Sequence, residues 1–191
     1  MIGSLLKLKQ NMMEKVKIID DLLDNDSFQK LNLTLLPSME DARLPWYFGS
    51  ITGENIDDLK NHQFTFLFYQ GYPEFVIDEN YPLVEPILKK IPDFYQPVRI
   101  KANLQPHSEE KYSSGWHWDH SFGQKPVKNA FVGIFYLNTN NGYTELDDGT
   151  KVDCVANRLL LFPNEMKHRG ASTNDTRFKS VINIVFTKYI I

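Results

Sequence analysis

The stretch Ala130-Phe131-Val132-Gly133-Ile134-Phe135-Tyr136-Leu137 carries no charged or amide side chain. A short run of this kind, rich in β-branched and aromatic residues, predicts a strand buried on both faces. Downstream of it, Asn140-Asn141-Gly142 is a turn signal and Asp147-Asp148-Gly149-Thr150 a hairpin signal. Strands are then predicted over Lys151–Ala156, Arg158–Phe162 and Phe178–Tyr189, the last rich in β-branched residues. Upstream, Val98 to Leu104 alternates as a strand should. Strands at short, regular spacing with no helix between them predict an antiparallel barrel or jelly roll over about residues 98–189.

The residues before Pro97 have a different character. Val16, Ile18 and Ile19 suggest a strand, followed by a helix capped around Asp26-Ser27 and carrying Phe28, Leu31 and Leu33. A stretch punctuated by Pro37, Pro45 and Gly49 precedes the aromatic run Phe64 to Tyr69, a strand whose rings belong to a core. Val84, Ile87, Leu88 and Ile91 recur at helical spacing, predicting a helix over Asn80–Ile91 in which Pro86 would cost a hydrogen bond. Residues 14–97 thus form an α/β support, and residues 1–13 a short amphipathic helix or a leader without chemistry. The fold class is mainly β with flanking helices, in one domain spanning 1–191.

Composition narrows the function classes. Hydrophobic residues at 42% and charged residues at 24% are ordinary for a globular protein. A formal net charge of -3 does not indicate nucleic acid as a partner. Cys154 is the one cysteine, which excludes an intrachain disulfide and a Cys-rich zinc site. No apolar run reaches the roughly 18 residues of a membrane span, so a cytoplasmic protein is expected.

The chemistry concentrates in Gly115-Trp116-His117-Trp118-Asp119-His120-Ser121. His117 and Asp119 stand two apart, so an extended backbone presents both on one face. His168 follows after about three strands, enough chain to return it to the pair. Two histidines and one carboxylate form the facial set that binds non-haem Fe(II) and leaves positions open. Trp116 and Trp118 point away as packing or rim residues, and His120 has the wrong parity. Arg177, at the start of the final strand, offers a two-pronged grip on the carboxylate of a keto-acid cosubstrate. Lys179 shares its parity and is a rival for that role.

Taken together, His117-x-Asp119, Phe135-Tyr136-Leu137-Asn138, Asn141-Gly142-Tyr143-Thr144-Glu145-Leu146, Asn157-Arg158-Leu159-Leu160-Leu161-Phe162, His168 and Arg177, with Asn183 beyond, resemble the Fe(II)/2-oxoglutarate-dependent dioxygenase superfamily. The likeness is to its prolyl-4-hydroxylase-like branch and related small phage and bacterial members. It covers about residues 98–187 and implies a double-stranded β-helix, a jelly roll, with helices on the major sheet. It further implies His117, Asp119 and His168 as iron ligands and Arg177 as the partner of the distal carboxylate of 2-oxoglutarate. Tyr136 would add a hydrogen bond to that carboxylate and Asn103 would line the pocket. The implied cofactors are Fe(II), 2-oxoglutarate and O2, with succinate and CO2 released as a peptidyl, prolyl-like, or small-molecule substrate is hydroxylated. Two positions depart from the pattern: Asn141 stands where a first glycine is usual, and Ser114 where the hydroxylase branch often has tyrosine. The alternatives are a non-catalytic cupin-like jelly roll that binds metal or ligand, a base-oxidising oxygenase needing a basic groove, and a structural β-sandwich.

Overall fold

The computed structural model describes residues 16–36, 44–50, 62–92, 94 and 96–187. The segment 1–13 and the end of the strand predicted to reach Tyr189 lie outside them. In chain order the elements are β1 (Lys17–Ile19), α1 (Asn25–Leu35), β2 (Tyr47–Ser50), β3 (His62–Gln70), β4 (Val76–Ile77), α2 (Glu85–Leu88) and β5 (Gln96–Pro106). After these come β6 (Ser121–Phe122), β7 (Lys125–Pro126), β8 (Ala130–Tyr136), β9 (Tyr143–Leu146), β10 (Lys151–Asp153), β11 (Arg158–Pro163), β12 (His168–Gly170) and β13 (Phe178–Thr187). The main sheet runs β1-β11-β8-β13-β5-β3-β2, with β4 on β3, and the minor sheet β10-β9-β12. Every pairing is antiparallel.

Strand alternation sorts the main sheet into two different faces. Val132, Ile134 and Tyr136 of β8 and Leu160 and Phe162 of β11 meet Leu146 and Val152 of the minor sheet in one apolar cluster, which closes the two sheets face to face. The odd positions of the same strands, Phe135, Leu159 and Leu161, pack outward against Phe28, Leu31 and Leu35 of α1. This arrangement is the double-stranded β-helix expected from the sequence. On β5 the usual pattern is inverted: Ile100 and Ala102 join the outer core, while Lys101, Asn103 and Gln105 face a cavity between the sheets. Polar residues turned toward an interior are the informative observation here, because apolar ones need no explanation there.

Two helix expectations are corrected. The first helix is capped by Asp24, two residues earlier than predicted, whose carboxylate accepts from the Ser27 amide at 2.9 Å and the Ser27 hydroxyl at 2.8 Å. Leu33 is exposed and Leu35 is buried in its place, since Phe28, Leu31 and Leu35 keep the three- and four-residue spacing of one face. The predicted Asn80–Ile91 helix divides into a 3-10 turn over Tyr81–Leu83 and the four-residue α2. Pro82 and Pro86 account for the break, because each lacks an amide proton and is tolerated only in a first turn. The apolar periodicity still holds, with Val84, Ile87, Leu88 and Ile91 all buried. The strand predicted over Lys151–Ala156 ends at Asp153, where the chain leaves for Asn157.

Asn157 ties the amino-terminal segment to this scaffold. It has a φ of 63°, a left-handed conformation that asparagine tolerates better than most residues. Its side chain accepts from Leu23 N at 3.0 Å and donates to Leu23 O at 2.8 Å, both buried. Asn157→Ala should therefore destabilise the protein by about 3 kcal/mol, from two unsatisfied buried groups and a strained backbone. Thermal denaturation would register this as a fall in Tm of about 6–12 °C; an unchanged Tm would deny the tie.

Candidate active site

A pair of antiparallel bridges builds the site. Beyond β12, the segment before Asp119 continues the minor sheet through Ser113 opposite Ala171 and His117 opposite His168. His117 N donates to His168 O at 3.1 Å and His168 N to His117 O at 3.0 Å. That exchange sets the two imidazoles side by side, ring centres 4.4 Å apart. Asp119 follows at a bend and turns its carboxylate toward them, so that donor atoms of His117, Asp119 and His168 all lie within 4.8 Å of one another. The segment is a bridge and bend rather than a regular strand, yet the two-residue spacing still brings imidazole and carboxylate together.

The surroundings hold each of the three in the state a metal ligand needs. His117 Nδ1 lies 2.9 Å from Gly115 O, which places the proton on Nδ1 and leaves Nε2 as a lone-pair donor. Asp119, its side chain 6% exposed, accepts from Arg99 at 3.1 Å through Oδ1 and from Asn183 at 2.7 Å through Oδ2. Burial would raise its pKa, but the His168 imidazole, the Arg99 guanidinium, the His117 imidazole and the Asn183 hydrogen bond hold the carboxyl well below the usual range. Burial pushes His168 down to about 4 although Asp119 pulls the other way, so its imidazole is neutral at pH 7. These donors, one carboxylate and two imidazoles, fit a divalent iron.

A pH dependence follows with a definite sign. Because His168 titrates at about 4 when folded without metal, against 6.5 ordinarily, the unfolded chain takes up a proton first as pH falls. The stability associated with neutral His168 should be complete above pH 6.5 and lost progressively down to about pH 4. Denaturant midpoints of the metal-free protein across that window would test this; a flat profile, unchanged in His168→Gln, contradicts it.

Two spaces open from the cluster, and His117 and Asp119 line both. The inner cavity, about 90 Å³, suits a small molecule and runs between β5 and β13 toward Lys179. Lys179 is buried, and its ammonium donates to Ala171 O at 2.8 Å and Tyr143 O at 3.2 Å. An ammonium carries three donors, so one is left for a ligand. Two glycines make room for it: a Cβ on Gly142 would lie 2.7 Å from Asn140 Oδ1 and 3.2 Å from Lys179 Cδ, and one on Gly170 would lie 3.3 Å from Lys179 Nζ. Burial lowers the lysine's pKa, while Tyr143 and Cys154 act in the opposite direction.

Of the seven residues singled out from the sequence, His117, Asp119, His168, Asn103 and Lys179 line the inner cavity. Arg177 does not, which corrects its expected position. It is exposed, one residue ahead of β13, at a point where its carbonyl accepts from His107 N at 2.8 Å. Tyr136 is also displaced from the expected place. It is fully buried between the sheets, and its hydroxyl donates to Thr144 Oγ1 at 2.8 Å, so Thr144 and not the phenol lines the cavity. Burial pushes the phenol far above its ordinary pKa, which keeps it a donor. Lys101, Gln105, Thr144 and Asn183 went unassigned from the sequence, although the alternation Arg99, Lys101, Asn103, Gln105 on one strand was a usable signal. Ser114 also lines the cavity and accepts from Gly170 N at 3.0 Å, filling with a backbone contact the position where the hydroxylase branch it resembles often has tyrosine.

The outer groove is larger, about 1410 Å³, and is edged by Tyr72, Trp116, Trp118, Phe122, Arg99 and Lys167. Trp116 and Trp118 are rim residues as expected, with Arg169 4.5 Å and Lys167 4.8 Å from their ring centres. His120 also borders the groove, its backbone held by Asn164. His107 and His62 border neither space. No helix among the described residues is long and apolar enough to cross a membrane.

A double-stranded β-helix with a His-x-Asp...His cluster at the mouth of its minor sheet is the arrangement that the sequence resemblance implies. Solved structures carry the comparison further. A Trichoplax adhaerens prolyl hydroxylase, solved with a peptide fragment of the hypoxia inducible factor oxygen degradation domain, matches with a TM-score of 0.61 at 13% identity over 98% of this chain and 89% of that one. The viral collagen prolyl hydroxylase of Paramecium bursaria Chlorella virus-1, in its 2-oxoglutarate complex, matches at 0.57 and 13% identity over 91% and 96%. An oxidoreductase of the 2OG-Fe(II) oxygenase family from Burkholderia pseudomallei matches at 0.62 and 10% identity over 91% and 86%. No protein-family model and no curated protein sequence matches the chain. The shared property at these identities is the fold.

Proposed function

We propose that the protein is an Fe(II)- and 2-oxoglutarate-dependent oxygenase that hydroxylates a peptidyl substrate. The observation that carries this is the pairing of a three-donor cluster with a buried ammonium at the other end of one small cavity. His117, Asp119 and His168 would hold the metal, and Lys179, with Arg177 outside the cavity, would hold the distal carboxylate of 2-oxoglutarate. Iron with the bound keto acid supplies the oxidising chemistry that turns 2-oxoglutarate and O2 into succinate and CO2 while oxygen is delivered to the substrate. The chain's own residues orient and shield. Arg99 and Asn183 fix the carboxylate ligand, Gly115 fixes the tautomer of His117, and the apolar floor of Ile134 and Val181 helps keep water from the keto acid.

A peptidyl substrate is favoured by the outer groove, whose volume and aromatic rim suit an extended chain, and by the peptide bound to the Trichoplax neighbour. The groove reaches His117 and Asp119, so a residue laid in it would lie beside the metal these residues would hold. The test is succinate formation from 2-oxoglutarate by anaerobically iron-loaded protein on admission of O2, first alone and then with prolyl peptides. Succinate that depends on Fe(II) and rises with a peptide is expected. Metal binding with no iron-dependent succinate under any condition would leave the cupin-like, non-catalytic alternative.

A further inference from the structure

Lys101 borders the inner cavity from the same face of β5 as Asn103 and Gln105. Among the described residues its ammonium has no hydrogen-bond or ion-pair partner within contact distance, although it is half-buried and lies in the field of Asp119 and Arg99. The register of β5 and β13 places it. Lys101 stands opposite Asn183, the residue that holds Asp119, whereas Gln105 stands opposite Lys179. The two rungs are four residues apart, about 13 Å of strand. One lysine is therefore rooted at the metal end of the cavity and the other at its far end, and both side chains reach inward.

Charge balance says what such a space wants. Among the described residues, the one carboxylate lining the cavity is Asp119, already engaged by Arg99 and Asn183. Two ammonium groups and a divalent metal against one carboxylate leave an excess of positive charge that a dianion would largely offset.

We propose that Lys101 is a second anchor for the cosubstrate, pairing the carboxylate beside the metal while Lys179 pairs the distal one. The proposal rests on the 2-oxoglutarate reading above and adds a specificity to it. The site selects 2-oxo diacids by demanding a carboxylate at each end, and Lys101 is the residue that recognises the keto-acid end.

The test is a ligand-by-variant cycle on the anaerobically iron-loaded full chain, with binding followed by calorimetry. The probes are 2-oxoglutarate, 2-oxobutanoate, which keeps only the metal-proximal carboxylate, and 4-oxobutanoate, which keeps only the distal one. Lys101→Met should weaken 2-oxoglutarate and 2-oxobutanoate by the same factor, about 10- to 100-fold for a lost charge-assisted hydrogen bond, and leave 4-oxobutanoate unchanged. Lys179→Met should give the mirror pattern, and Lys101→Arg should retain most of the affinity. If 2-oxobutanoate binds Lys101→Met as it binds the parent, or if all three probes weaken equally, Lys101 is no anchor. A parent protein that binds none of the three overturns the oxygenase reading itself, which separates the two failures. Iron content per chain, expected to be equal in parent and Lys101→Met, guards against loss of the metal or the fold as the cause; a Lys101→Met protein that loses iron, with Lys101→Arg no better, overturns the proposal.

Discussion

His168→Ala should abolish iron retention and 2-oxoglutarate turnover together. Loss of one of three protein ligands leaves a divalent ion with two, and affinity should fall by more than the 10- to 100-fold typical of losing a residue that only supports a ligand. The fold should survive, because the His117–His168 bridge is made by backbone groups and Asp119 keeps its hydrogen bonds to Arg99 and Asn183. Iron per chain after anaerobic loading and gel filtration, with succinate release measured on the same sample, checks both halves. A variant that turned over 2-oxoglutarate at the parent rate would remove His168 from the metal's coordination and with it the proposed function.

Lys179→Met should weaken 2-oxoglutarate by about 30- to 1,000-fold, equivalent to about 2–4 kcal/mol, while Arg177→Ala stays within about twofold of the parent. Methionine preserves the length of the stem that passes between Gly142 and Gly170, so what is lost is the charge and the two hydrogen bonds to Ala171 O and Tyr143 O. Lys179→Arg should not rescue binding fully, because a planar guanidinium is bulkier than an ammonium and the Ala171 and Tyr143 carbonyls are placed for the latter. Titration of 2-oxoglutarate into iron-loaded protein decides the matter. A large loss in Arg177→Ala with none in Lys179→Met would reverse the assignment.

The contrast between these two cations marks the boundary of what alternation can say. Arg177 and Lys179 share a parity, so the period of a strand puts both on one face. What separates them is where pairing begins. β13 starts at Phe178, Lys179 pairs with Gln105 inside the sheet, and Arg177 is left on the exposed approach. A similar limit applied to Asn80–Ile91, where apolar spacing reported the buried face correctly but Pro82 and Pro86 divided the backbone into a 3-10 turn and one helical turn. Tyr136 was expected beside the ligand because its strand borders the cavity; it lies deeper, and its hydroxyl donates to Thr144.

Local chemistry alone determined a great deal about this chain. Period-two alternation, turn residues such as Asp148-Gly149 and the His117-x-Asp119 spacing each depend on neighbours in sequence, and from them came the strands, the jelly roll and two of the three donors of the candidate metal site. Tertiary structure alone decided that His168 faces His117 across a two-bond bridge, that Gly142 and Gly170 leave space for Lys179, and that Lys101 stands at the opposite end of the same cavity. The physical reason is that register between distant strands is set by the packing of whole sheets, and a shift of one residue would have turned every one of these side chains to the other face.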